Sequence, residues 1–251
     1  MECSDCHNPH AAKATAGTVA GALTGVRGIS ATGTDVNPIT AESQVCFRCH
    51  ADSPNQPAPK TIRQIAQVNK RLQFATSNPS AHPVLGPRAG AVSPSLISPW
   101  VTSSTMTCGD CHNNDSGPGA GGAGPKGPHG SVYPSLLERQ YLTADRTTES
   151  ATAYGLCYKC HNRTTLIGTG GSFKEHKKHI VDERTPCNVC HDPHGISSTQ
   201  GNSTNNSRLI NFDTTVVKPN SAGLLKFVQT TPGKGSCYLT CHNANHNPYT
   251  Y

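Results

Sequence analysis

Aromatic residues make up only 5% of this 251-residue chain, charged residues only 14%, and there are two methionines and one tryptophan. With hydrophobic residues at 34%, little apolar protein surface is available to bury, which argues against an ordinary protein-only core. Twenty-four glycines and nineteen prolines further exclude long helices and strands over most of the chain. No apolar run approaches a membrane span. No leader-type segment opens the sequence, and Cys3 already sits in a motif, so the leader is expected to have been removed or the sequence to begin inside a longer chain. On either account Met1 is not expected to be the translation start. The length allows one large domain or two small ones, and residues 1–251 are read as one. What the chain has in plenty is cysteine, twelve residues, and histidine, thirteen.

The cysteines are ordered. Cys187, Cys190 and His191 form C-x-x-C-H, and the same spacing recurs at Cys3, Cys6 and His7; Cys46, Cys49 and His50; Cys108, Cys111 and His112; and Cys157, Cys160 and His161. A sixth stretch, Cys237, Cys241 and His242, has one more residue between the thiols. All twelve cysteines are used. Two thiols at this spacing can each form a thioether to a haem vinyl group, and the histidine that follows places its imidazole under the iron. Zinc knuckles or a C-x-x-C redox pair are the competing explanations, but here a histidine follows the second cysteine in all six stretches.

On these motifs the chain resembles a multihaem c-type cytochrome with six haems c spread from residue 3 to residue 242. The resemblance implies a mostly irregular fold, with a few short helices and little strand, organised around a chain of six stacked haems. One haem per roughly 42 residues, in a chain whose compact radius of gyration is about 18 Å, forces the haems to be close neighbours. The formal charge of +6 would ordinarily suggest an anionic partner. Two propionates per haem turn it into a nominal charge of about −6, so nucleic acid is a poor partner. Covalent attachment of this kind implies export, to the extracellular space or outer cell surface or else to the periplasm.

Between the motifs, residues 11–40 read as loop with at most short strands. Residues 60–74 are the best helix candidate, with Ile62, Ile65, Ala66 or Val68, and Leu72 on one face and Arg63, Lys70 and Arg71 elsewhere. Residues 77–99, which include His82, read as extended or turn. Residues 116–130 form the most flexible stretch; Gly119, Gly121 and Gly124 match G-x-G-x-x-G, but no strand precedes them and Pro125 blocks the helix, so they are loop. Short helices are expected over 135–145 and 150–161, a surface loop over 197–207, and short strands over 209–217 and 224–229. Asn162, Asn202 and Asn205 begin glycosylation-type triplets of a kind that chance supplies often.

Six irons take six proximal histidines: His7, His50, His112, His161, His191 and His242. Seven others remain: His10, His82, His129, His176, His179, His194 and His246. Bis-histidine ligation of every iron needs six of them, which leaves one idle, with His176 and His246 the weakest candidates for ligation. His10 and His194 follow a proximal histidine by three residues and cannot easily wrap around to the far face of the same haem. Each is expected to ligate a different haem, which then lies next to the first. His246 is under the same restriction and could reach a neighbouring molecule.

Two imidazoles on each iron leave no position for substrate, and only Met1 and Met106 could raise a potential by ligation, so low-potential electron transfer rather than catalysis is expected. The C-x-x-C-H-x-x-H form and sparse secondary structure look most similar to outer-surface cytochromes of metal-reducing microorganisms, some of which polymerise into extracellular filaments through haem–haem contacts between subunits. Haem motifs at both chain ends, few charges and histidines near both termini favour a homo-oligomer or filament, handing electrons to redox proteins or extracellular acceptors. A discrete periplasmic or surface shuttle fits the same features. A multihaem reductase with one open haem is the enzymatic alternative, and requires two idle histidines among the seven unless another side chain took one's place.

Overall fold

The computed structural model describes residues 2–88, 93–168, 170–198, 205–231 and 233–251. Met1, the Asn202 triplet, part of the 77–99 run and most of the polar tract from 197 to 207 lie outside these residues. Most of the chain is irregular, and the regular elements are short. Helices α1 (Cys3–Cys6), α2 (Ser43–His50), α3 (Lys70–Gln73), α4 (Gly155–Tyr158), α5 (Arg163–Ile167) and α6 (Cys187–Cys190) run for one or two turns. A π-helical stretch covers Lys177–Asp182, and single 3₁₀ turns lie at Gly21–Leu23, Cys108–Asp110, Pro118–Ala120 and Pro134–Leu136.

Strands β1 (Gly28–Ile29) and β2 (Asp35–Val36) pair antiparallel, as do β3 (Ser80–Ala81) and β4 (Gly195–Ile196). The third sheet, β5 (Lys226–Thr231), β6 (Lys234–Cys241) and β7 (Ala244–Thr250), is an antiparallel meander at the C-terminal end of the chain. No helix among the described residues is long and apolar enough to cross a membrane.

The apolar interior is divided among three small clusters. Val26, Ile39 and Val45 form one, with Cys6 against it; Ala153, Tyr154 and Ile180 form another, with Cys187; Val189, Phe212, Val217, Phe227 and Leu239 form the third, with Cys190, Cys237 and Cys241. Motif cysteines thus border all three clusters.

The helix expected over 60–74 is reduced to α3. Ile62 is 63% exposed and Val68 and Leu72 are also exposed, so a helix there would have no apolar face to bury. The backbone pairs instead with the segment around Phe212: Gln64 N–H donates to the Phe212 carbonyl (2.8 Å), Thr214 N–H to the Ile62 carbonyl (2.8 Å), and Ile65 N–H to Asn211 Oδ1 (2.9 Å). The strand expected over 209–217 is for the same reason only a set of isolated bridges, Arg63 to Asp213 and His191 to Ile210. The helix expected over 135–145 is absent as well. Ser135 and Leu136 have positive φ, and Glu138 N–H and Leu142 N–H reach out to Cys111 and Ala153 carbonyls. Of 150–161 only Gly155–Tyr158 is helical.

The loop 116–130 is tied down rather than loose. Gly127 N–H donates to Asn113 Oδ1 (2.6 Å), Gly124 N–H to the Ser116 carbonyl (2.7 Å), and Gly119 packs so close to the Glu138 carboxylate that a Cβ would collide with it.

Candidate functional site

Five of the six motifs share one local geometry. In α1, α6, the 3₁₀ turn at Cys108 and the turn leaving α4, the histidine N–H donates to the carbonyl of the first cysteine: His7 to Cys3 (2.9 Å), His191 to Cys187 (2.9 Å), His112 to Cys108 (2.8 Å) and His161 to Cys157 (3.0 Å). In the second motif Cys46, Cys49 and His50 all lie within α2. Residues three apart on such a turn are neighbours, about 5–6 Å between Cβ atoms, so both thiols face one side. Reciprocal capping fixes two of these turns: Glu2 with Asp5 ahead of Cys3, and Thr107 with Asp110 around Cys108.

The rings of these histidines are oriented by their Nδ1 atoms. His7 Nδ1–H donates to the Ala22 carbonyl (2.9 Å), His112 to Ser135 (2.8 Å) and His191 to Arg208 (3.0 Å), while His161 Nδ1 bonds the Ser95 hydroxyl (2.8 Å). Two of the other seven follow suit, His82 to the Pro193 carbonyl and His179 to that of Glu175. An imidazole whose Nδ1 carries the proton for a carbonyl presents Nε2 as a bare lone pair, the tautomer a metal ligand needs. Burial also pushes the imidazoles toward the neutral form. His161 and His191 are held down at about 4 and His176 at about 3, and His50, His82, His194 and His246 are lowered in the same direction, burial being the largest cause each time.

The rings meet in pairs. His112 and His194 are 6.3 Å apart between centres with planes 2° apart, and His7 and His129 are 5.8 Å apart at 9°. His191 faces His176 at 6.3 Å, and His179 faces His246 at 6.5 Å. His82 lies within electrostatic reach of His161. Two imidazoles on opposite sides of one metal, each bonded at about 2.0 Å, have ring centres about 6.3 Å apart, a separation that the 5.8–6.5 Å of these pairs brackets, although His179 and His246 both stand outside the motifs and do not make a motif-plus-distal pair. Among the described residues no group of three or more His, Cys, Asp or Glu converges as a tetrahedral metal site does. His10 and His50 have no ring partner among the described residues, and the His10 side chain is exposed.

The cysteines of successive motifs adjoin. Cys6 is within reach of Cys46 and Cys49; Cys46 interacts directly with Cys108; Cys111 is near Cys160; Cys157 interacts directly with Cys187; and Cys190 is near Cys237 and Cys241. The six motifs therefore follow one another in space in the order of the sequence.

The first five motifs fit a haem c as they stand, and the surroundings support that fit. Tyr154 Oη, Thr185 Oγ1, Asn188 Oδ1 and the Nδ1 atoms of His176 and His246 are buried with no hydrogen-bond partner. Fully buried Tyr154 borders Cys157 and Cys187, and Asn188 lies within the fifth motif. Unpaired buried polar groups collected around the motifs leave partners to be supplied there, which suits a bulky group held between the motifs.

The sixth motif does not fit in this conformation. Cys237 and Cys241 lie on strand β6, where four residues span about 13 Å, instead of on one turn. His242 has φ 48° and turns its Nε2 to the Asp145 carboxylate at 3.0 and 3.1 Å. For this stretch to take a haem, β6 has to give way and Asp145 has to release the nitrogen.

Several contributing residues were not singled out from the sequence. Ser95, Ser135 and Arg208 hold rings through atoms that carry no sequence signal. Asp192 stands inside the H-D-P-H stretch and was legible there. Glu138, buried near Cys111 and Cys160 and ion-paired to Lys159 (2.8 Å), has only its position in an apolar stretch to mark it.

No protein-family model matches this chain, and neither the curated proteins nor the solved structures contain a match to it.

Proposed function

We propose that the chain is an electron carrier that holds six haems c in single file and assembles end to end into an extracellular filament. The observation that carries this reading is the pairing of imidazoles, above all His112 with His194 and His7 with His129, at the separation one metal between them requires. Iron bound there supplies a one-electron couple at each station. The chain's own part is to fix that station: the cysteines would hold the macrocycle, the carbonyls of Ala22, Ser135 and Arg208 aim the proximal rings, and burial holds the His191 imidazole neutral. An iron held between two such imidazoles would keep no open position for substrate, which favours a carrier over a reductase. The adjoining cysteines of successive motifs support stations that follow one another in sequence order from Cys3 to Cys241.

The filament rests on a mismatch. His10 is exposed without a ring partner among the described residues, and the imidazole within electrostatic reach of His50, that of His112, is already paired with His194, so a second copy of the chain is the natural donor for the open side of the His50 site.

Electron paramagnetic resonance of the oxidised protein tests the carrier reading. Uniformly low-spin ferric haem is expected, and a substantial high-spin signal would overturn it. Electron microscopy of the native protein tests the filament. Isolated globules would leave a discrete periplasmic or surface shuttle.

A further inference from the structure

The stretch after the fifth motif, His191 to His194, closes in a side-chain turn in which His194 N–H donates to Asp192 Oδ1 (3.0 Å). The same carboxylate oxygen lies 3.4 Å from His194 Nδ1. In His7, His112, His191, His82 and His179 the Nδ1 proton goes to a neutral carbonyl, and in His161 it meets a hydroxyl. Among the described ring pairs, only His194 has a carboxylate at that position. The charge is not needed for the turn, because the first motif makes the same turn with a neutral side chain: His10 N–H donates to Asn8 Oδ1 at 3.1 Å.

Asp192 is buried and held on its other side. Gln73 Nε2 donates to Oδ2 (3.0 Å), Asn211 Nδ2 lies at 3.5 Å and Arg63 Nε at 3.8 Å. Phe74 sets its edge against the His194 ring at 5.6 Å. The positive charges facing the pair are Arg63 and Lys70, which temper the carboxylate without displacing it.

We propose that Asp192 is a positioning residue that aims His194 at the iron facing His112 and, by raising the basicity of its Nε2, sets that iron lower in potential than a neutral partner would. A carboxylate behind a ligating imidazole fixes the ring and strengthens its donation to the metal, which favours the ferric state. The proposal rests on the haem reading above.

The test uses the full-length protein with its haems, titrated potentiometrically while the low-spin ferric signals are followed. D192N keeps the turn, as Asn8 demonstrates. One of the low-spin components is expected to become easier to reduce by about tenfold, or 59 mV for one electron, with the others unmoved. D192E is expected to restore it. K70Q removes a cation within reach of both His194 and His50, and it is expected to move the D192N-sensitive component the opposite way, together with the component of the His50 site. Unchanged potentials in D192N and K70Q with full haem content overturn the inference and leave the carrier reading intact. Absence of covalent haem from the unmodified protein overturns both.

Discussion

His112 and His194 hold their rings parallel to within 2° and 6.3 Å apart between centres, although one closes the third motif and the other trails the fifth. Neither the Ser135 carbonyl behind His112 nor Asp192 behind His194 needs to move for a metal to be held between them. His194→Ala is therefore expected to open one axial position and no other. About one-sixth of the low-spin ferric signal converts to high-spin, and one equivalent of an added ligand such as cyanide then binds. No high-spin signal in this variant would mean that His194 is not a ligand.

Low pH attacks the same sites through their neutral imidazoles. His161 and His191 are held at about 4 and His176 at about 3, against 6.5 for an unburied histidine, with burial as the leading cause. A folded-state pKa below the unfolded one contributes stability that is present above pH 6.5 and lost as pH falls toward 4 and then 3. Circular dichroism and the visible spectrum, followed together, are expected to hold steady from pH 7 to 9 and to change cooperatively between about pH 6 and 3. A protein unaltered at pH 3 would contradict this burial argument.

Legibility followed the chemistry of individual residues more than periodicity. Cys187, Cys190 and His191 are visible as a unit because their spacing is the one covalent haem attachment would require, and a single turn is enough to present them. The helix expected over 60–74 misled because its apolar residues repeat at helical spacing while Ile62, Val68 and Leu72 face solvent. Long-range backbone pairing with Phe212 decided that segment, and nothing local encodes it. Strand β6 over Lys234–Cys241 has no counterpart among the strands expected from the sequence, where the stretch is read only as the sixth motif. The facing of His191 by His176, a histidine ranked weakest beside His179 on spacing alone, likewise depends on how the π-helical stretch at Lys177–Asp182 turns the chain.

Position along the file sets the cost of losing an attachment. Cys157 interacts directly with Cys187, and the thiols of both motifs border the cluster around Tyr154, so a fault there reaches two sites. Cys241 lies in the last motif, bordered by only one other, the fifth. Intact-mass measurement is expected to find six haems on the unmodified chain, five on Cys241→Ser, and four or fewer with much reduced yield on Cys157→Ser. Five haems on the unmodified chain would mark β6 and His242 as a stretch that stays a strand and binds none.

On the filament reading, assembly would turn on His10. Its turn is held by Asn8, whose side chain also donates to the Gly25 carbonyl (3.0 Å), so the ring is presented to solvent on an ordered support. Removing the ring takes nothing from the interior, and His10→Ala is expected to keep the secondary structure, the haem content and the acid transition of the unmodified protein. What it loses is the imidazole a second copy would offer to the site of His50. Sedimentation and electron microscopy are then expected to find single chains where the unmodified protein forms filaments, with one haem per chain turned high-spin and restored to low-spin by added imidazole. Filaments of unchanged length in His10→Ala would place the contact between copies elsewhere.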